Sequence, residues 1–333
     1  MTAENEQVSR RRPRWMTWTV AVLFACWAVI RIGGFERGSI LTQLMTLTPY
    51  AVVLAAVVAL VVFWRNRAAA VLCLVAAIAL AVAVSPRVFG EPEASVHASA
   101  GAPQAAGTSL RVMTLNMFGQ ADAQAVVALV RRYQPDVFTA LELTPRNVAE
   151  LDTAGLGGLM PYRVLQADWG ATGSGIFSKH PATPLTGVFK PIGHNMPSGT
   201  VTLPDGTRVE VTAIHPNPPL GKMEAEWKSA LAAFPSPDPG VIRVLAGDFN
   251  ASLDHRALRD LLDRGYVDAA EQVGKGLVPT WPNKSALPPL ITIDHVLADK
   301  RVSVSRVEID TVPDTDHRAV FAELHLPTLQ RGR

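Results

Sequence analysis

The sequence predicts a layered α/β domain behind an N-terminal anchor of about three transmembrane helices. Three observations carry that reading. Three uncharged apolar runs fall within the first ninety of 333 residues. Beyond residue 110, strand-like and helix-like runs alternate. Polar side chains capable of chemistry stand where the apolar strands stop.

The runs account for an unusual composition. The chain is 48% hydrophobic and 18% charged, with a formal net charge of +2. So much apolar material excludes intrinsic disorder, and two cysteines, Cys26 and Cys73, exclude a disulfide-stapled fold. The first run, WMTWTVAVLFACWAVI from Trp15 to Ile30, extends through Ile32 to Phe35 if Arg31 snorkels. The second occupies 38–64 and the third 68–86. Crossing a bilayer takes about 20 apolar residues, so spans are expected near 15–35, 40–64 and 68–86. Pro49 is expected to kink the second. No small-residue cleavage site follows the first run, which separates it from a signal peptide.

Basic residues set the orientation. Arg10, Arg11, Arg12 and Arg14 precede the first run, and Arg65 and Arg67 join the second to the third. Arg31, Arg37 and Arg87 lie on the opposite side. This places the N-terminus in the cytoplasm and everything beyond residue 90 outside it, provided the short first run crosses. Residues 1–90 are then a multi-pass anchor and 91–109, rich in Ala, Ser, Gly and Pro, a flexible linker. The domain covers 110–327, with a tail at 328–333. The anchor holds nine Arg against three Glu, leaving a net of −4 on the remainder. An acidic domain argues against charge-driven grip on nucleic acid.

Within 110–327 the elements follow in turn. Residues 110–118 (LRVMTLNMF) alternate as a strand. Ala123–Tyr133 places Val126, Val127, Leu129 and Val130 on one helical stripe. Residues 135–143 form a second strand, and a helix opens at Pro145 with Thr144 as N-cap. Pro204-Asp205-Gly206 turns a hairpin between 201–203 and 209–214. Helices over 222–234 and 256–264 bracket a buried strand over 241–249. Strands over 291–297, 302–309 and 319–326 complete the alternation, which argues for a layered α/β domain.

Asn116, Glu142, His215, Asp248 and Asn250 end strands in this reading. Asp294 interrupts ITIDHVL, and Asp316-His317 precede the last strand. Polar groups at successive strand ends suggest one shared cleft. Carboxylates and amides suit a hard divalent cation, and no His/Cys cluster has zinc spacing. Trp281 either lines the cleft or packs under a loop. His295 alternates to the opposite face from Asp294. His180, His194 and His255 read as surface or loop histidines, Trp169 and Trp227 as structural.

The order and spacing of TLNM, LELT, SGIFSKHP, AIHP, GDFNA, IDHVL and TDHRAV resemble the endonuclease/exonuclease/phosphatase family across 110–327. The resemblance implies a four-layer α/β sandwich, two packed mixed sheets flanked by helices. It implies a metal-dependent phosphoesterase that attacks its substrate with water in line. Glu142 would be the principal metal ligand, with Asn116 and Asp316. Asp248 would orient or deprotonate the water, and Asn250 would bond the scissile phosphate. His317, supported by Asp294, would stabilise phosphate charge, with His215 on the leaving-group side. Substrate contacts would come from Asn250, His317 and Trp281. The implied cofactor is one Mg²⁺ centred on Glu142, with Mn²⁺ or Ca²⁺ as alternatives. Met117 and Phe118 replace the further acidic residue some members carry. Lys179, Lys190, Arg208 and Lys222 are scattered, unlike DNA-gripping loops. The substrate class stays open between nucleic acid and phospholipid or small organic phosphate. The lipid bilayer is the other expected partner, and no protein partner is indicated. The alternative is a catalytically inactive binding or sensor module on the same fold.

Overall fold

The computed structural model describes residues 15–90, 108–283 and 288–328. The basic cluster at Arg10–Arg14, most of the expected linker and the end of the tail lie outside them. The chain divides into two compact units.

One unit holds the residues up to Phe35 together with Thr48–Ala83. Its helices are α1 (Trp15–Gly33), α3 (Thr48–Phe63) and α4 (Arg67–Val84). Its packed seam is built of small side chains, among them Ala21, Ala28, Ala55, Ala59, Ala76 and Ala77. Large apolar residues point outward instead, with Leu60 73% and Trp64 86% exposed. Small residues inside and large ones outside is the arrangement of helices that pack in lipid. Two of these helices are long and apolar enough to cross a membrane, or up to three spans if a broken pair is one.

That broken pair replaces the single helix expected over 40–64, and together its halves still make one candidate span. The segment divides into α2 (Ser39–Met45) and α3, with a turn at Thr46–Leu47 closed by backbone bonds to Gln43 and Leu44. Pro49 sits in the first turn of α3, where its missing N–H costs nothing, so the expected kink falls at the break just before it. Hydropathy cannot see this break, because Ile40, Leu44 and Leu47 are as apolar as any lipid-facing residues. The Glu36–Leu47 segment clusters with the second unit, as does everything from Val84 onward.

The second unit opens with α2, the short α5 (Pro86–Phe89) and β1 (Ser109–Asn116). There follow α6 (Ala123–Tyr133), β2 (Val137–Leu141), α7 (Pro145–Thr153), α8 (Leu156–Leu159), β3 (Tyr162–Gln166), β4 (Ser174–Ser178), β5 (Ala182–Leu185), β6 (Ser198–Thr202) and β7 (Arg208–Ile214). The rest are α9 (Met223–Ala233), β8 (Ile242–Asp248), α10 (Arg256–Asp263), β9 (Tyr266–Asp268), α11 (Ala269–Gln272), β10 (Asp294–Asp299), β11 (Ser303–Thr311) and β12 (Arg318–His325). Two six-stranded sheets form, ordered β11-β12-β1-β2-β4-β3 and β5-β6-β7-β8-β10-β9. Each is mixed, with β1–β2 and β7–β8 parallel.

Strand alternation builds four layers. On β1, Leu110 and Val112 face the other sheet and meet Val209, Val211, Val244 and Val296. Met113 and Leu115 face outward onto Val126, Val127 and Val130 of α6. On the far side Trp227 and Leu231 of α9 with Leu258 and Leu261 of α10 cover the second sheet. Thr144 caps α7 as expected, and Asn147 completes a capping box, the Thr144 hydroxyl accepting from the Asn147 N–H.

Both sheets place their chemistry at one edge. The carboxyl ends of parallel β1 and β2 carry Asn116 and Glu142, while β12 runs antiparallel to β1 and so begins beside them, just after His317. In the other sheet Asp294 starts β10 directly opposite Asp248 at the end of β8.

His295, on the other face of β10, is a buried structural cation. Its Nδ1 lies 2.8 Å from Asp268 Oδ2 and its Nε2 2.8 Å from the Ala251 carbonyl. Both partners only accept, so both ring nitrogens carry protons. Burial alone would lower its pKa, but the Asp268 charge and hydrogen bond and the Ala251 carbonyl raise it. Removing one partner of a buried ion pair costs about 3 kcal/mol, so Asp268→Asn should lose about that much in urea unfolding. A raised pKa also fixes the sign of the pH response. The contribution is complete below about pH 6.5, the unperturbed histidine value. It fades as pH climbs through the raised folded value, and Asp268→Asn should flatten that decline.

Candidate active site

Asn116 ties the two sheets together. Its Nδ2 donates to Glu142 Oε1 at 3.1 Å and to Asp248 Oδ2 at 3.2 Å, while its Oδ1 accepts from the Phe118 N–H at 2.9 Å. Glu142 and Asn250 hold left-handed backbones, φ 48° and 49°. Such conformations in non-glycine residues cost of order 1–3 kcal/mol and gather at functional sites.

Asp248 is buried, and its Oδ1 accepts from the Asn250 N–H at 2.8 Å. Burial, against the opposing charge of His317, pushes its pKa up to about 7. His317 Nδ1 lies 2.9 Å from Asp294 Oδ2, and its Nε2 stands 3.6 Å from Asp248 Oδ2. Burial disfavours the imidazolium, but Asp294 and Asp248 outweigh it and raise the pKa to about 10. Thr315 positions this residue: its hydroxyl donates to the Asn116 carbonyl at 2.7 Å and accepts from the His317 N–H at 3.1 Å. Thr280 holds the facing turn through the Ile293 and Asp294 N–H groups.

His215 Nε2 lies 3.8 Å from both Glu142 Oε1 and Asp248 Oδ2. Its Nδ1 is 3.1 Å from Nδ1 of His194. Burial first, then neighbouring His194 and His317, keep the His215 pKa well below the ordinary value, and burial lowers that of His194. Two neutral imidazoles therefore share one proton across that contact.

Two carboxylates complete the cleft. Trp281 Nε1 donates to Asp316 Oδ2 at 3.2 Å, which settles Trp281 as a lining residue. Asp316 Oδ1 is buried without a hydrogen-bond partner. The Glu142 pKa is raised by burial foremost, and the charges of Asp316 and Asp294 add to it. An orphaned carboxylate oxygen beside a second desolvated carboxylate fits a hard divalent cation held by Glu142, Asp316 and Asn116. Asp248, Asp294 and His317 also bring ligand atoms within 4.8 Å of one another. There, however, His317 Nδ1 is already committed to Asp294, so that trio reads better as a proton-handling group.

All the residues expected from the sequence meet here, and a cleft of about 940 Å³ runs over Glu142, His215, Asp248, Asn250, Asp316 and His317. Asn250 Nδ2 spends one hydrogen on the Pro216 carbonyl at 3.0 Å and has a second to offer. Of the three histidines read as surface or loop residues, His180 and His194 lie half-buried in loops and only His255 is fully buried. His194 belongs to the site. His255 is fully buried, accepting from the Ser252 N–H and donating to the Thr42 carbonyl at 2.8 Å. His180 pairs with Asp136 at 2.8 Å. Trp169, read as structural, is largely exposed. The sequence gives no local signal for His194, which lies in a loop with no motif around it.

The family model described as Endonuclease/Exonuclease/phosphatase matches residues 113–317, more than half of the chain. The chain belongs to that family. Its members are typically metal-dependent phosphoesterases, in keeping with the oxygen-rich cleft. An endonuclease/exonuclease/phosphatase from Beutenbergia cavernae superposes with a TM-score of 0.50 at 20% identity, covering 66% of this chain and 72% of that one. D. rerio TDP2, complexed with single-strand DNA product, gives 0.53 at 16% identity, covering 66% of this chain and 99% of that one. At such identities the likeness shows the fold alone. No curated protein matches the sequence.

Proposed function

We propose that the chain is a membrane-anchored hydrolase of phosphate esters that depends on a divalent cation and works outside the cytoplasm. The observation that carries this is the convergence, in one cleft, of the Asp294–His317 pair, Asp248 and the Glu142–Asp316 carboxylates.

A divalent cation, when bound, neutralises charge on the phosphoryl oxygens. Glu142, Asp316 and Asn116 would hold it. Asp248 accepts the proton of the attacking water, a role suited to a carboxylate titrating near neutrality. His317, kept protonated by Asp294, donates a charged hydrogen bond to a phosphoryl oxygen. The second N–H of Asn250 serves another oxygen. His215, neutral and buried, meets the leaving group, with His194 fixing its tautomer. The chain thereby supplies charge neutralisation, an activated water and leaving-group contact. No specific observation favours the inactive sensor reading.

Membrane anchoring is supported by the lipid-like packing of α1, α3 and α4, and orientation by the distribution of Arg residues. Chelation by EDTA should abolish bis-p-nitrophenyl phosphate hydrolysis by the full chain, and Mg²⁺ or Mn²⁺ should restore it. Activity indifferent to chelation would overturn the metal-dependent reading. Protease added to intact cells should digest the residues beyond 107. Their full protection, while known external loops are cut, would reverse the orientation.

A further inference from the structure

The α2 segment clusters with the second unit. One of its faces is seated in the catalytic unit. Ser39 Oγ donates to the Pro219 carbonyl and accepts from the Gly221 N–H, both at 2.8 Å. Thr42 and Met45 are fully buried, and Thr42 receives the hydrogen bond from His255. Upstream, the Glu36 carboxylate accepts from the Arg256 N–H at the start of α10, and Lys228 reaches the Glu36 carbonyl.

The opposite face is left open to the cleft. Ile40 and Leu44 stand at i and i+4 on α2, and Leu47 follows in the turn after it. They are 77%, 39% and 37% exposed, and all three line the same 940 Å³ cavity as His317 and Asp248. Leu220, Met223 and Ile291 continue the apolar lining. Among the described residues, no Lys or Arg lines it. Phosphates flanking a scissile bond in nucleic acid call for such cations; a hydrocarbon chain calls for an uncharged wall. Ile40, Leu44 and Leu47 also belong to the segment that runs directly into the apolar helix α3, and the groove is continuous with the phosphate-handling side chains.

We propose that Ile40, Leu44 and Leu47 form the hydrocarbon-binding wall of the active site, so that the substrates are phosphate esters carrying a long alkyl or acyl chain. This deepens the phosphoester-hydrolase reading and rests on it. The phosphate meets Asn250 and His317 while the chain lies along α2.

The test uses the full chain held in amphipol, with monoalkyl phosphates of two, six and ten carbons below their micellar concentrations. They are read as inhibitors of bis-p-nitrophenyl phosphate hydrolysis and, separately, by calorimetric titration. Binding should tighten about two- to fourfold per added methylene. Ile40→Gln combined with Leu44→Gln should flatten that slope, and Leu44→Met should preserve it. Turnover with no chain-length slope overturns the wall, as does a slope unchanged in the double variant. So does cleavage of a thymidine oligonucleotide that decyl phosphate does not inhibit. A calorimetric slope in a chain that hydrolyses nothing would overturn the hydrolase reading instead.

Discussion

Asp248→Asn lowers kcat/KM for bis-p-nitrophenyl phosphate by roughly 10³- to 10⁴-fold, the range for loss of a positioned general base. The substitution keeps volume and shape. The Asn250 N–H still finds an oxygen at the Oδ1 position, but the buried group can no longer take a proton. The exchange removes a desolvated carboxylate beside Asp294 but leaves Asn116 Nδ2 without its acceptor, so some stability is lost as well. Thermal unfolding measured beside the kinetics separates the two effects. Wild-type turnover in a folded Asp248→Asn protein would remove Asp248 from the chemistry.

His317→Gln costs about 10²- to 10³-fold, mainly in kcat, as expected when a charged donor to the developing phosphoryl charge is lost. Two carboxylates hold the imidazolium, one at 2.9 Å through Nδ1 and one 3.6 Å from Nε2. Glutamine donates a hydrogen bond but no charge, so substrate binding should fall less than turnover. Asp294→Asn should reproduce most of the loss although Asp294 acts only through the ring it orients. A loss confined to KM in both variants would make this pair a binding device.

Much of the site is legible in the sequence because strand ends are. Asn116, Glu142 and Asp248 close apolar runs that mark buried strands, and two mixed sheets aligned at one edge bring those ends together. Short-range chemistry is legible too: Thr144 caps α7 as its place before Pro145 predicts. Pairing across long separations is not. His194 and His215 meet through loop geometry, and buried Arg87 grips Asp254 bidentately at 2.6 and 2.8 Å across 167 positions. The edge strands β3, β5 and β9 are silent too, whereas the edge strand β11 is read over 302–309. Half-exposed β5, with Pro184 in it, carries neither alternation nor an apolar run, as befits a sheet margin. The largest difference is the break between α2 and α3, which a hydropathy window reads as one continuous helix, while α2 residues line the candidate cleft.

Hydrolysis in ¹⁸O-labelled water with Mg²⁺ tests the central claim most directly. One labelled oxygen per turnover is expected in the p-nitrophenyl phosphate released from bis-p-nitrophenyl phosphate, none in the nitrophenol, and release slowed roughly 10³-fold or more in Asp248→Asn. Label in the nitrophenol, or equal release by wild type and Asp248→Asn, would contradict it.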